Sequence, residues 1–397
     1  MYSGSCYKHK VCYYGRLVCG IKCLQILQVL TIYFLDRHQD KHSLFFYSYF
    51  CGLTTHEKYM QRCFALAQLG AGNVAPNPMV GAVLVHNDRI IGEGYHKQYG
   101  QAHAEVNCIN DVSNDDLHLI KEATMYVSLE PCAHYGKTPP CADLIIKNNI
   151  LQVVVGCRDS YKEVAGKGIQ KMEADGVQVI TGVLEKEAQD LNRRFFMFHN
   201  LQRPYIILKW AQSENRKIAS DTGGRVLISN EKTNRLVHKW RSEEAAILVG
   251  TNTALKDDPS LTTRNWKGKD PVRLVIDKEL RLLRNLKLFD GTAQTIVFNG
   301  IKDSEDTVVY IKLANDSNYL PQIMDRLFQL NIQSVLVEGG ARLLQSFIDE
   351  GLWDEARVIT NKELQIPFGI DAPELKNYQI RSGEQILSDT IQYYRHV

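Results

Sequence analysis

Apolar positions recur at helical spacing from residue 56 to 70, where Tyr59, Met60, Cys63, Phe64, Leu66 and Ala67 form one stripe. Two short apolar runs, 79–85 and 89–94, flank His86-Asn87-Asp88, which reads as a tight turn between paired strands. The pattern then alternates: helix over 102–109, strand over 123–129, helix over 141–147, strand over 152–156, helix over 168–175 and a short strand over 177–181. Such alternation predicts a mixed sheet with helices covering its faces. A charged helix over 185–200 leads into Gln202-Arg203-Pro204, and the proline biases the residue before it away from helix, so the domain boundary is placed there. Beyond it the alternation restarts, with strands over 205–210, 246–250, 272–277, 295–299 and 334–337 and helices over 230–242 and 341–350. The expected organisation is two α/β bodies, 53–202 and 203–397, without internal repeat or low-complexity linker.

Composition changes this picture mainly at the N-terminus. Residues 1–52 hold 11 of the 36 aromatic side chains, five of the ten cysteines, and six Lys/Arg against two Asp/Glu. Their longest uncharged apolar stretch, Cys23 to Leu35, has 13 residues. A membrane-crossing helix needs about 20. No small-residue cleavage site follows it. The expectation is a non-native or disordered extension, translated from a misplaced start, ahead of a protein beginning near Leu53. The other 345 residues carry a net charge of −2, a poor footprint for nucleic acid or a membrane surface. Their five cysteines lie within 63–157, unlike a secreted disulfide framework, so a reducing cytoplasm is expected.

Chemistry concentrates in the first body. His103-Ala104-Glu105 opens a predicted helix, Pro131-Cys132 follows a predicted strand, and Cys141 lies nine residues beyond Cys132. One imidazole and two thiolates leave the fourth tetrahedral position of a Zn²⁺ ion open for water, the catalytic rather than the structural arrangement. Zinc can lower that water's pKa from ~15.7 to about 7, and Glu105, not itself a ligand, suits the general acid/base role. Taken singly, a His-x-Glu is an ordinary solvated helix face and a buried Cys a small hydrophobe, the reading given to Cys63, Cys108 and Cys157. It is the conjunction that points to a zinc hydrolase.

The eight residues between Cys132 and Cys141, with Ala75-Pro-Asn-Pro-Met-Val-Gly81 and Gly92-Glu-Gly-Tyr-His96, closely resemble the deaminase half of the bifunctional riboflavin-biosynthesis deaminase/reductases. Deaminases of free nucleosides or tRNA place only two residues there. The resemblance covers about 55–397. It implies a cytidine-deaminase-like three-layer domain with a mixed sheet, then a dihydrofolate-reductase-like α/β domain. The implied substrate is a diaminopyrimidinone carrying a ribosylamino 5′-phosphate, with Asn77, His96 and Lys137 as contacts. Asn77 can both donate to and accept from a base edge, and Lys137 is a point charge suited to phosphate. The plain alternatives are a turn residue at Asn77 and a solvated loop lysine at Lys137; His134 stays unassigned.

In the second body, Val335-Leu-Val-Glu-Gly-Gly-Ala341 reads as strand, glycine turn and helix start, where free N–H groups suit a phosphate. Alone it is weak, for such turns often merely connect elements, and G-x-G-x-x-G is absent. The order of segments nevertheless resembles the family's reductase domain. That resemblance implies substrate contacts from Lys209, Arg225, Arg241, Leu261, Arg264 and Glu338. It implies NADPH contacts from Ala211, Leu227, Thr253, Asp257, Gly340, Ala341 and Arg342, with hydride transfer to C1 of the ring-opened ribosyl group. One stretch departs from the pattern. Where the family writes Ser-x-Asp-Gly-Lys and Ser-x-Trp-Ile-Thr, this chain has Ser213-Glu-Asn215-Arg216-Lys217 and Arg225-Val-Leu227-Ile228-Ser229. Loss of the Asp-Gly turn and of the Trp is expected to alter nicotinamide binding. The expected protein is a cytoplasmic enzyme using Zn²⁺ and NADPH on phosphorylated pyrimidines, without nucleic acid or membrane partners, and by analogy a homo-oligomer. The alternatives are a deaminase whose second body has lost its activity, and a deaminase of nucleic-acid bases.

Overall fold

In the computed structural model, residues 52–135, 139–159, 165–221, 226–314 and 318–397 are described. Helix α1 (Thr55–Gln68) buries the predicted stripe of Met60, Cys63, Phe64, Leu66 and Ala67. It leads into the hairpin β1 (Gly81–His86) and β2 (Arg89–Tyr95), turned at Asn87 and Asp88, both with positive φ. Then come α2 (Ala104–Asn110), a 3₁₀ stretch (Asn114–Glu122), β3 (Thr124–Leu129), α3 (Cys141–Lys147), β4 (Gln152–Cys157), α4 (Lys167–Ala174) and β5 (Gln178–Thr181). The five strands form one sheet in the order β2-β1-β3-β4-β5, antiparallel at β2/β1/β3 and parallel at β3/β4/β5. Strands β1, β3 and β4 are buried almost end to end, as expected of strands covered on both faces. One face packs α2, α3 and α4 around Leu84, Met125, Ile145 and Met172, and the other packs α1 around Val83, Tyr126 and Val154.

The single charged helix expected over 185–200 is two helices, α5 (Glu185–Leu191) and α6 (Arg193–Leu201). The break falls at Asn192, whose side chain accepts from Met79 N at 2.8 Å and donates to Met79 O at 2.9 Å. A side chain that grips another segment's backbone this way competes with helix continuation.

The second body follows with β6 (Tyr205–Ser213), β7 (Lys217–Ser220), α7 (Glu231–Glu243), β8 (Ala246–Gly250), α8 (Thr251–Asp257), β9 (Val272–Ile276), β10 (Thr295–Asn299), β11 (Ser304–Glu305) and β12 (Val308–Lys312). It closes with α9 (Tyr319–Gln329), β13 (Ser334–Val337), α10 (Ala341–Asp349), β14 (Glu355–Asn361), β15 (Gly369–Asp371), β16 (Tyr378–Ile386) and β17 (Asp389–His396). Ten strands form a sheet in the order β11-β12-β10-β9-β8-β13-β6-β14-β17-β16, and β7 pairs with β15. Its centre is parallel, and Ile206, Leu208, Leu248, Leu274, Val335 and Val337 pack beneath α9 and α10.

Buried charges join α6 to the second body. Arg194 makes two hydrogen bonds to the fully buried Glu244, at 2.7 and 2.5 Å, while Arg193 reaches Glu355 at 2.8 Å and Arg357 pairs with both carboxylates. Thr55–Val397 accordingly cluster as one compact unit. No helix among the described residues is long and apolar enough to cross a membrane.

Candidate active sites

The predicted metal ligands converge. His103 precedes the first turn of α2, Cys132 follows β3 through Glu130-Pro131, and Cys141 opens α3. His103 Nδ1 lies 3.6 Å from Cys132 Sγ and 3.3 Å from Cys141 Sγ, and all three ligand atoms lie within 4.8 Å of one another. Hydrogen bonding from Cys141 draws the Cys132 thiol well below its ordinary range, with His103 reinforcing, while the same bond pushes Cys141 up. One imidazole and two thiols, one already biased to thiolate, fit a Zn²⁺ ion by donor chemistry and spacing.

Glu105 lies in the first turn of α2, 3% exposed. Burial raises its carboxyl pKa and Cys132 adds to the rise, while His103 opposes it. His96 is buried beside the ligands, its ring 5.4 Å from that of His103 in an edge-on arrangement. Its Nδ1 lies 3.0 Å from Ala102 O, which can only accept, so Nδ1 carries the proton and Nε2 accepts from Asn77 Nδ2 at 3.2 Å. Asn77 and His96 therefore come together beside the zinc ligands. Lys137 lies outside the described residues, and His134 is exposed.

Sequence reasoning missed Glu130. Buried at the end of β3, its carboxylate accepts from the backbone N–H groups of Asp159, Gly166, Gly168 and Ile169 at 3.0–3.3 Å. Gly168 packs so tightly that a Cβ there would stand 1.9 Å from Pro131 O. Together they fix the turn that delivers Cys132. An acidic residue directly before Pro-Cys was the available signal.

In the second body a cleft of about 1680 Å³ opens across the carboxyl ends of β6, β8 and β13. Eleven of the thirteen predicted residues line it: Lys209, Ala211, Leu227, Arg241, Thr253, Asp257, Arg264, Glu338, Gly340, Ala341 and Arg342. Arg225 lies outside the described residues. Leu261 is not among the lining residues: its side chain is 2% exposed and packs with Ile247, Val249 and Leu288.

A buried ionic triad forms the cleft floor. Arg241 Nε and Nη2 each donate to Glu338 at 2.8 Å, and Lys209 Nζ approaches Glu338 at 3.5 Å. Burial alone would raise the Glu338 pKa, but Arg241 and Lys209 overturn it and hold the carboxyl at about 2. A Cβ at Gly340 would stand close to Thr253 Oγ1, at 3.3 Å, and Gly340 precedes the open backbone N–H groups of α10.

His238 was also missed, although it precedes Arg241 by three residues and so shares its face of α7. It lines the cleft and its Nδ1 donates to Thr262 O at 2.8 Å, the carbonyl that Arg241 Nη1 reaches at 3.2 Å. Burial, then Arg241 and Arg264, lower its pKa to about 4, so it is a neutral imidazole at pH 7.

The departing stretch still forms a turn. Arg216 takes the left-handed conformation at φ 61°, where the family writes glycine. Asn215 replaces the aspartate, accepting from Ser213 Oγ at 2.7 Å and Ile366 N at 3.1 Å and donating to Ile366 O at 2.8 Å. Leu227 stands 74% exposed at the cleft, with less surface than a Trp to offer a flat ring.

Comparison with known proteins agrees with both halves. A family model described as the cytidine and deoxycytidylate deaminase zinc-binding region matches residues 53–157, and one described as the RibD C-terminal domain matches 204–361. The riboflavin biosynthesis protein RibD of Aquifex aeolicus is 40% identical over 308 residues, 75% of this chain and 84% of that protein. That of Bacillus amyloliquefaciens is 41% identical over 309 residues, 75% and 82% respectively. The crystal structure of a diaminohydroxyphosphoribosylaminopyrimidine deaminase/5-amino-6-(5-phosphoribosylamino)uracil reductase from Thermotoga maritima matches with a TM-score of 0.79 at 34% identity, covering 86% of this chain and 99% of that one.

Proposed function

Because this chain belongs to the RibD family of riboflavin biosynthesis proteins, we propose that the residues gathered above divide its two reactions between the two bodies, 53–202 and 203–397. The enzyme is bifunctional. A zinc-dependent hydrolytic deamination of 2,5-diamino-6-ribosylamino-4(3H)-pyrimidinone 5′-phosphate is followed by NADPH-dependent reduction of the ribosyl group, giving 5-amino-6-(5-phosphoribitylamino)uracil.

In the first body His103, Cys132 and Cys141 would hold Zn²⁺, which would supply a water of lowered pKa. Glu105 takes a proton from the attacking water and returns it to the departing amine; a buried carboxyl beside the reaction centre suits both transfers. Asn77, with its amide set by His96, orients the pyrimidine edge, and Lys137 meets the phosphate. The observation that carries this reading is the meeting of three ligand atoms within 4.8 Å beside a buried, non-ligating glutamate.

In the second body NADPH supplies the hydride. Thr253, Asp257 and the Gly340–Arg342 turn hold the cofactor, with Ala211 and Leu227 along its path. Glu338 keeps Lys209 and Arg241 charged and aimed, and Arg241, Arg225 and Arg264 meet the ribose phosphate, whose oxygens suit forked guanidinium donors. Leu261 serves through its backbone, at φ 54° beside Thr262. The reaction partners are these phosphorylated pyrimidines, with no nucleic acid or membrane among them. The setting is the cytoplasm, in keeping with the buried free thiols of Cys63, Cys108 and Cys157. Copies assemble, and the exposed edge strand β16, with Ile380 61% exposed, is a surface open to such pairing.

The test uses the full chain with zinc measured in every sample. Replacing Cys132 by Ala should remove bound zinc and ammonia release together while NADPH oxidation on the deaminated intermediate persists. Full zinc occupancy in that variant would refute the ligand set.

A further inference from the structure

We propose that Gln333, a residue of the reductase body, is a positioning residue for the deaminase site, and this rests on reading Asn77 as a substrate contact. Residues 69–80 join α1 to β1 and carry Asn77. Within the first body, Asn73 N donates to Gly70 O at 3.0 Å and Asn77 N to Val74 O at 2.9 Å, while Asn73 O accepts from Tyr99 N at 3.1 Å and Val80 O from His96 N at 2.9 Å. The stretch between Asn73 and Val80 is held further by residues from 192 onward.

Gln333 Nε2 donates to Pro76 O at 2.6 Å, one residue before Asn77. Gln333 itself is rigidly held. It is 4% exposed, lies directly before β13, and its carbonyl accepts from Tyr205 N at 2.8 Å. Nearby, Gly72 has φ +76° and packs so closely on the last turn of α7 that a Cβ would stand 2.2 Å from Ser242 O. Asn192 grips Met79 at the loop's far end. The loop is thus pinned before, at and after Asn77, twice by the reductase body.

The chemistry is held elsewhere. Glu105 and His103 belong to α2, and Cys132 to the turn fixed by Glu130. Loss of the Gln333 bond therefore frees Pro76 and lets Asn77 drift from His96, while the hydrolytic machinery stays in place. Binding suffers and turnover does not.

The experiment compares full-length Gln333→Met, which keeps side-chain length but lacks the donor, with wild type and Asn77→Ala. In each, deamination kinetics, zinc content and NADPH oxidation on supplied intermediate are measured on the same preparation. The expected result for Gln333→Met is a KM for the deaminase substrate raised about five- to tenfold, the scale of one lost hydrogen bond. Its deaminase kcat, zinc and reductase activity should be unchanged. A raised KM in Asn77→Ala with an unchanged KM in Gln333→Met overturns the proposal alone. An unchanged KM in Asn77→Ala overturns the reading of Asn77, and the proposal with it. Loss of zinc or of both activities in Gln333→Met marks a general structural role and also overturns it.

Discussion

Two buried glutamates, one in each site, are driven in opposite directions by their surroundings. At Glu105 burial dominates and the sulfur of Cys132 adds to it, outweighing His103, so its proton affinity rises. Glu338 is largely enclosed as well, its side chain 9% exposed, yet Arg241 and Lys209 outweigh burial and hold it at about 2. The same side chain thus has its proton affinity raised in one site and lowered in the other. The first site is compact, with His103, Glu105, Cys132 and Cys141 all within one short stretch of chain. The second is a wide cleft assembled from segments between Lys209 and Arg342, held open by an ionic floor. Chemistry that moves protons needs a titrating group against the reaction centre. Hydride transfer asks the protein mainly to hold cofactor and substrate face to face.

The largest effect that would break this comparison is at Glu105. Glu105→Gln keeps shape and hydrogen bonding but cannot shuttle a proton. Deamination should fall about 10³-fold or more with zinc retained and reduction intact, checked by ammonia release and metal analysis. Next is Glu338→Gln, which strands two buried cations. Stability of the reductase body should drop by about 3–5 kcal/mol, read from urea unfolding, and reduction should weaken while deamination persists. Third, pH separates the two plans. The folded pKa of Glu338 lies below its ordinary 4.5, so its contribution is fully present above that pH and is lost as pH falls towards 2. Comparing urea midpoints at pH 6 and pH 3, wild type should lose more stability than Glu338→Gln does. Equal losses would show that Glu338 is not held as an anion. Fourth, Arg264→Ala should raise the reductase KM about tenfold or more, the scale of a charged hydrogen bond, and leave deamination alone. The smallest effect belongs to Arg216→Gly, which suits the left-handed turn. It should change stability by no more than about 1 kcal/mol and leave the KM for NADPH within twofold.

How much was legible in the sequence follows from the same contrast. The zinc site could be read from residue chemistry because its ligands lie close along the chain at the ends of regular elements. The reductase cleft could be placed only through resemblance, since nothing in the spacing of Lys209, Arg241 and Glu338 announces that parallel strands β6 and β13 and helix α7 will bring them together. Backbone roles were hidden too. Leu261 was named as a contact, but its side chain turns into the core, and Glu130 acts by collecting N–H groups from residues 159–169, far along the chain. Elements without an apolar stripe were overlooked. Strand β16 is exposed along almost its whole length and reads as polar chain, while α9 carries a proper stripe in Leu320, Ile323, Met324 and Leu327 that was not used. In the departing stretch a turn forms with other residues, Arg216 taking the left-handed position and Asn215 bonding Ile366, which the motif comparison alone did not show.

The most direct test supplies full-length wild type and Glu105→Gln with NADPH and either the diaminopyrimidinone substrate or its deaminated product. Ammonia and NADPH absorbance are followed together. Wild type should oxidise one NADPH per ammonia released from the upstream substrate. Glu105→Gln should do neither with that substrate, yet oxidise NADPH at the wild-type rate when given the deaminated product. NADPH oxidation by Glu105→Gln on the upstream substrate would mean that reduction does not wait for deamination. No oxidation by wild type on the deaminated product would mean that the cleft around Glu338 is not a reductase site.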